Sequence, residues 1–586
     1  MMRQLKAAAL ALAIAGSASG ALAQTVITTD ITTNTTWCNT ANPGPIILNA
    51  TVFVKNNAIL TILPGCIIRG QPRQAAVVPG STAGAPGALI VTQNGRINAV
   101  GGSTNPIIFT TAALDANQDG IPDDVDGNPG FKDPWTPAAG LTHFFDSDPV
   151  NHPPAPLSKA GLGNVQLWGG VVLLGNAPTN LADKCGVGFG KCTVEGLTVP
   201  GYPVADCTYG GAEPHDNSGA LKYVSFRFGG DEIGNSNELN GLSIAGVGDG
   251  TLLDNLEVYV NFDDGFEYFG GTANASHMAV FFEGDDMFDL DEGYTGVQQF
   301  LFGVMPFFNE NGGTPYGSLS GDKAGEFDGD NFRPDSVAQN DNVTTKERID
   351  LATRDPQPNP LSAFNLYNMT VIGSTPSAGQ DFTPVSPAAT NRGLQWRNGA
   401  AGRVFNSIIT NTGAETGIEI DTGATGAPGF DAVDNEQPTK GRSLTSYVAI
   451  VCSTMANGAA PAAQESLAIA NGDALNLALG GTAAGANVVN GAGFNNLLKR
   501  DQTFDPTGLG GANCPGPLCG KLAASLKPSP INPRPAAGFV GVAGCVPPQG
   551  PGLDSSATYR GAFPATAPTL WTTGWTALNR AGLLAN

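Results

Sequence analysis

The chain has 586 residues and a formal net charge of −22, from 51 acidic and 29 Lys and Arg side chains. An acidic surface repels a phosphate backbone, which excludes nucleic acid as a partner and disfavours acidic polymers unless a local basic cleft or calcium compensates. Glycine (79) and proline (43) are frequent, which argues against long helices and for short strands punctuated by turns.

In chain order, Arg3 and Lys6 precede an apolar run from Ala7 to Ala15, and Ala21-Leu22-Ala23 has the small-x-small pattern. Residues 1–23 therefore read as a secretory signal peptide cut before Gln24. The apolar run is too short for a membrane helix, and no later run is long enough to span a bilayer. The mature protein is expected to be secreted or displayed at the cell surface. Nine cysteines in an exported chain predict disulfides. Proximity pairs Cys38 with Cys66, Cys185 with Cys192 or Cys207, and Cys514 with Cys519. Cys452 and Cys545 can join late segments, and one cysteine stays unpaired.

Residues 24–112 alternate short aliphatic runs with Gly, Asn and Pro, as in ILNATVFVKNNAILTILPGCIIRG. These read as the first turns of a repeating coil. Residues 113–160 interrupt it with an acidic, proline-rich loop. The coil resumes over 161–424, with a second loop-like insertion at 303–360. Residues 425–586 are expected to hold further turns, loops, short helices within Gln464–Leu479 and a cap. The segment containing WTTGWT is placed over the far end.

The strongest signal is internal. NFDDGFEYFGG starts at Asn261 and EGDDMFDLDEG starts at Glu283, a constant offset of 22 residues. Val258 aligns with Val280, Asp263 and Asp264 with Asp285 and Asp286, and Glu267 with Asp289. Periods of this size mark a solenoid. The prediction is an all-β fold, a right-handed parallel β-helix with loop insertions and a C-terminal cap. Equivalent residues then stack about 4.8 Å apart.

The phrases LTILPGCIIRG, LWGGVVLLGNAP, YGGAEPHDNSGALKYVSFRFGG, DDGFEYFGG, GDDMFDLDEGYTG and the closing WTTGWT resemble those of secreted bacterial proteins with a pectin-lyase-like β-helix. The resemblance covers most of the mature chain. It implies that fold and a secreted or surface setting, and no particular reaction.

Stacked acids carry the chemistry. At an effective dielectric near 20, each like-charged pair about 5 Å apart costs roughly 3 kcal/mol. A cation can bridge them, one acid of a pair can stay protonated, or the groups can face open water. The first outcome makes Asp263, Glu267 and Asp291 candidate Ca2+ ligands. The second makes Asp264, Asp285, Asp286 and Asp289 candidate catalytic residues, because close carboxylates split their pKa values. The Gly-His-Gly and Arg-Ile-Lys signatures of polygalacturonases are absent.

A separate calcium loop is predicted at 115–126. Asp115, Asn117, Asp119, Asp123 and Asp126 fall at ligand positions 1, 3, 5, 9 and 12, with Gly120 at the turn and the Ile121 carbonyl at position 7. Without flanking helices it is similar to the loops of thrombospondin type 3 repeats. A looser group is Asp322, Glu326, Asp328 and Asp330. The four histidines form no metal pair. Lys222, Arg227, Arg392 and Arg397 are expected in structural ion pairs. Trp168, Trp396, Trp571, Trp575, Tyr268 and Tyr294, with Trp135, are expected in packing or capping more than as sugar platforms. The functional expectation is a calcium-stabilised binding or structural protein directed at glycans or the cell envelope. The alternative is a glycoside hydrolase or lyase using the clustered aspartates.

Overall fold

The structure is a computed structural model. It describes residues 24–71, 85–112, 166–181, 190–195, 202–234, 237–305, 321–329, 362–373, 392–397, 400–410, 417–420, 448–456, 463–479, 487–489, 531–535 and 545–580, with Val187, Leu197, Pro360, Thr412 and Leu584. The segment expected to be a signal peptide (1–23), the six residues expected to form a calcium loop at 115–126, Asp330, Trp135, Cys185, Cys514 and Cys519 lie outside the described residues.

Apart from two short antiparallel pairs, the strands form two large parallel sheets, and the chain alternates between them. Leu242–Ala245 lies in the smaller sheet and Leu252–Tyr259 in the larger; Phe266–Phe269 returns to the smaller and Ala275–Phe281 to the larger. The pattern continues through Phe288–Asp291 and Val297–Val304. Register is in phase: Val258 pairs with Val280, Phe266 with Phe288, and Glu267 with Asp289. This is a parallel β-helix, in which each turn of chain adds one rung to each sheet.

Side-chain alternation builds the interior. On the smaller sheet the inward column reads Leu173, Ile244, Tyr268, Leu290, Phe327, Trp396 and Ile420. All are buried. Phe266 and Phe288 stack at 6.0 Å, and Phe327 meets Trp396 edge-on at 4.9 Å. Aromatic contacts of this kind add stability beyond the area they bury.

From Gly219 onward each rung of the larger sheet bends within its length at a residue with left-handed backbone. Tyr223, Asn255, His277, Phe300, Asn368, Asn406 and Cys452 have φ between 48° and 61°. The flanking residues pair on both sides of each bend while the bent residues do not. The coil is therefore three-sided.

Two expectations about the insertion and the end of the chain need correction. The 303–360 region is not all loop, because Lys323–Asp328 is the next strand of the smaller sheet, pairing with Phe288–Asp291 and Arg392–Arg397. The closing segment lies along the flank of the coil instead of over its far end: Phe563, Leu570, Ala577 and Leu578 pack against Tyr259, Phe281 and Phe302 of the larger sheet. Only one long helix, Ala463–Ala478, occurs among the described residues. It occupies the stretch where short helices were expected, as one continuous helix of 16 residues.

Cys38–Cys66 and Cys452–Cys545 are bonded as expected. Cys192 is disulfide-bonded and Cys207 is free and buried. This rules out Cys207 as the partner of Cys185. Lys222 pairs with Asp254 at 2.8 Å and Arg227 with Glu257 at 3.8 Å. Trp168, Trp396, Trp575, Tyr268 and Tyr294 are fully buried packing residues.

Candidate cation site on the outer face of the smaller sheet

The outward column of the smaller sheet reads Ser243, Glu267, Asp289, Glu326, Gln395 and Glu419. The turn entering each strand adds more acids. Gly241 N–H donates to the Asp264 carbonyl and Gly265 N–H to the Asp286 carbonyl, so successive turns stack like the strands. The Asp264 Oδ1 accepts the Asp286 N–H at 2.8 Å, and the Asp286 Oδ1 accepts the Lys323 N–H at 2.6 Å. Each aspartate thus ties its turn to the next one. Asp285 and Asp322 stack beside them through an N–H···O=C bond of 2.7 Å.

Three carboxylate groups result: Asp263, Asp264 and Asp285; Asp264, Glu267 and Asp289; Asp285, Asp286 and Asp322. Within each, one oxygen per residue lies within 4.8 Å of the others. Oxygens on a shared Ca2+, each about 2.4 Å from the ion, can be no farther apart than that. Asp264 and Asp285 each belong to two groups, so the three are contiguous. Asp285 is exposed and Asp264, Glu267 and Asp286 are buried, so the furrow runs from solvent inward.

Electrostatics separates the early rungs from the later ones. Lys323 Nζ lies 2.6 Å from Asp322, 2.7 Å from Glu326 and 3.2 Å from Asp286. Arg397 holds Glu326 and Asp328, each at 2.6 Å. Burial alone would lower the Lys323 pKa, but Asp286, Glu326 and Asp322 outweigh it and hold the ammonium charged. Among the described residues, no Lys or Arg forms an ion pair with Asp263, Asp264, Glu267, Asp285 or Asp289. Burial, then the charge of Asp285, pushes Asp263 up to about 8. Burial and the neighbouring acids drive Asp264, Glu267, Asp286 and Asp289 well above the ordinary carboxylate range.

Two buried oxygens nearby are also unsatisfied. Asn240, 2% exposed, gives its amide nitrogen to Glu267 and to Ser243, while its Oδ1 has no partner among the described residues. The buried Asp289 Oδ1 is likewise without one. Buried polar atoms are normally paired. These orphans adjoin the Asp264–Glu267–Asp289 group, and both are of the oxygen type that hard cations prefer.

The structure brings together Asp263, Asp264, Glu267, Asp285, Asp286 and Asp289. Asp291, one residue beyond Leu290 on the same strand, belongs to none of the three groups; its Oδ1 accepts the Glu292 N–H at 2.5 Å. Sequence reasoning placed Asp322, Glu326 and Asp328 in a separate site. They are instead the next rung of this one, with Lys323 as their built-in counter-ion. The signal was GDKAGEFDG at 321–329, which aligns with GDDMFDLDE from Gly284 at a longer interval than 22 residues. Glu283 was also missed: it is fully buried, and neither carboxyl oxygen has a partner among the described residues.

Residues 158–474, more than half of the chain, match the family profile described as a pectate-lyase-like beta helix domain. The chain belongs to the pectate-lyase-like β-helix family. No curated protein and no solved structure matches the sequence. Among the described residues no helix is long and apolar enough to cross a membrane.

Proposed function

We propose that this protein is an exported, calcium-stabilised β-helix with a binding role toward glycans or another envelope component. One observation carries the cation reading. The ladder of turn residues reads Asn240, Asp264, Asp286, Lys323 and Arg392, and acids give way to bases at the rung where internal ion pairs begin. Among the described residues, no Lys or Arg pairs with Asp263, Asp264, Glu267, Asp285 or Asp289 on the earlier rungs. Five carboxylates there call for an external cation or for protonation. The donor set is all oxygen and suits Ca2+, whose ligand number and geometry are adaptable. The disulfides support an oxidising, exported setting. A bound ion with open coordination positions beside exposed Asp285 would hold hydroxyl or carboxylate oxygens of a glycan against a stiff sheet.

The test is metal analysis of the purified protein, followed by melting in calcium and in EGTA and a glycan-array screen in both. Calcium in the protein, a lower Tm in EGTA and calcium-dependent glycan retention support the reading. A metal-free protein whose Tm ignores both calcium and EGTA overturns it.

The second reading, glycan cleavage by Asp264, Asp285, Asp286 and Asp289, draws support from Asp289, whose raised pKa and unpartnered Oδ1 suit a protonated acid. Against Asp264 and Asp286, their Oδ1 atoms are already engaged by backbone N–H groups. Product release from array-positive glycans, lost in Asp289→Asn, would favour cleavage over binding.

A further inference from the structure

The left-handed bends of the larger sheet lie one above another, and the C-terminal segment touches nearly every one of them. Trp575 meets Tyr223 edge-on at 5.6 Å, Trp571 meets His277 at 5.3 Å, and Tyr559 stacks with Phe300 at 6.5 Å. Asn368 Nδ2 donates to the carbonyls of Ala557 (3.1 Å) and Tyr559 (2.7 Å). Asn406 Nδ2 donates to the Val546 carbonyl at 2.9 Å, and the Gly561 N–H donates back to the Asn406 carbonyl at 2.7 Å. Cys452 is bonded to Cys545. Next to the Asn255 bend, Glu257 accepts the Ala577 N–H at 2.7 Å through Oε1. Between these points Gln299 and Asp554 exchange two hydrogen bonds, and the Ala562 N–H donates to Thr370 Oγ1.

We propose that residues 545–580 form a latch that converts the coil from a chain of separable rungs into one cooperative unit. In an open solenoid each repeat touches only its neighbours, so the ends can fray rung by rung. Here one segment, covalently fixed at the Cys452 rung, also contacts the rungs of Asn406, Asn368, Phe300, His277, Glu257 and Tyr223. Opening any of these rungs breaks a contact to a segment that the others still hold. The bends also supply the specificity. The left-handed residues recur at the same point of successive rungs, and the side chains of Tyr223, His277, Phe300, Asn368, Asn406 and Cys452 all reach the segment. The apolar contacts of Phe563, Leu570 and Leu578 with Phe302, Phe281 and Tyr259 add burial along the same line.

Native-state hydrogen exchange on the full chain tests this. Asn368→Gly with Asn406→Gly removes three side-chain hydrogen bonds to the latch, along with the Gln299–Asn368 bond inside the coil, while glycine accepts the left-handed backbone without steric cost. The latch reading expects exchange to rise about tenfold or more in 545–563 and, in step with it, in the strands at 365–372, 403–410 and 449–456. The strands at 46–62, away from the latch, should keep their protection. Cys452→Ser with Cys545→Ser provides a second variant, which frees the fixed end and should give the same paired rise. Faster exchange of 545–563 with unchanged coil strands would show a passive appendage and overturn the proposal. So would a rise in the coil strands with the segment still protected.

Discussion

At the scale of single residues, neighbouring acids change sign in their effect according to whether a cation is present. Asp289 sits among Asp264, Glu267 and Glu326, in register with two of them. Without a cation its charge is a cost, with the carboxyl held above the ordinary range by burial and by Glu326. With a cation it is a ligand. Asp289→Asn should therefore melt above the wild type in EGTA and below it in calcium, by on the order of 1 kcal/mol each way. A shift of the same sign in both buffers would remove Asp289 from the ligand set. Glu283 makes a simpler case. It is fully buried with an unpartnered carboxyl, and burial holds its pKa well above the ordinary value. Such a group favours folding only while protonated, and that contribution is lost as pH climbs through the folded-state pKa. Glu283→Gln is isosteric and uncharged. It should leave Tm unchanged near pH 4 and raise it by a few degrees near pH 8, as differential scanning calorimetry would show.

At the scale of the strand and its turn, what was legible in the sequence depended on spacing. Two rungs separated by a constant 22 residues revealed the stack and, with it, the pairs Asp263–Asp285, Asp264–Asp286 and Glu267–Asp289. The third rung was hidden because extra residues between Val304 and Lys323 break that constant interval. Lys323-Ala324-Gly325 also lacks the aromatic that opens the earlier strands. So Glu326 looked like a member of a separate loop site, and the one base that divides the furrow went unnoticed. The flank position of the closing segment was illegible for a different reason: its partners lie hundreds of residues away, and no periodicity links Ala577 to Glu257. The single ammonium of Lys323 is shared by Asp286, Asp322 and Glu326. Removing one partner of a buried ion cluster typically costs about 3–5 kcal/mol. Lys323→Met should lose about that much in EGTA by urea unfolding, and calcium should recover part of it by extending its coordination to the exposed rung. A loss identical in both buffers would mean that the third rung and the cation furrow are electrically independent.

At the scale of the whole molecule, the raised carboxyls set how stability depends on pH, and the direction is opposite to that of a protein held by ordinary salt bridges. A lowered carboxylate pKa gives stability that is lost on acidification. Asp263, Asp264, Glu267, Asp286 and Asp289 are all raised, chiefly by burial. In the absence of a cation they favour folding when protonated, and stability falls as they are forced to ionise in place. For Asp263 the fall spans from the ordinary carboxylate value of 3.8 to about 8. Above the unfolded-state pKa and below the folded one, each such group lowers stability by about 1.4 kcal/mol per pH unit. Calcium bound as proposed would reverse the linkage, because ligands must be deprotonated to bind and the ion then competes with protons. The Tm measured from pH 5 to pH 8 should therefore decline in EGTA and stay level or rise in calcium, the two curves diverging as pH increases. Asp254 works in the other sense. Although burial opposes it, its bonds to His277 and Lys222 lower its pKa, so its contribution is lost only on acidification below the ordinary carboxylate value. That lies outside the chosen window and leaves the divergence to the furrow. Parallel curves over that range would mean that no cation meets these acids and that the stacked rungs relieve their charge by protonation alone.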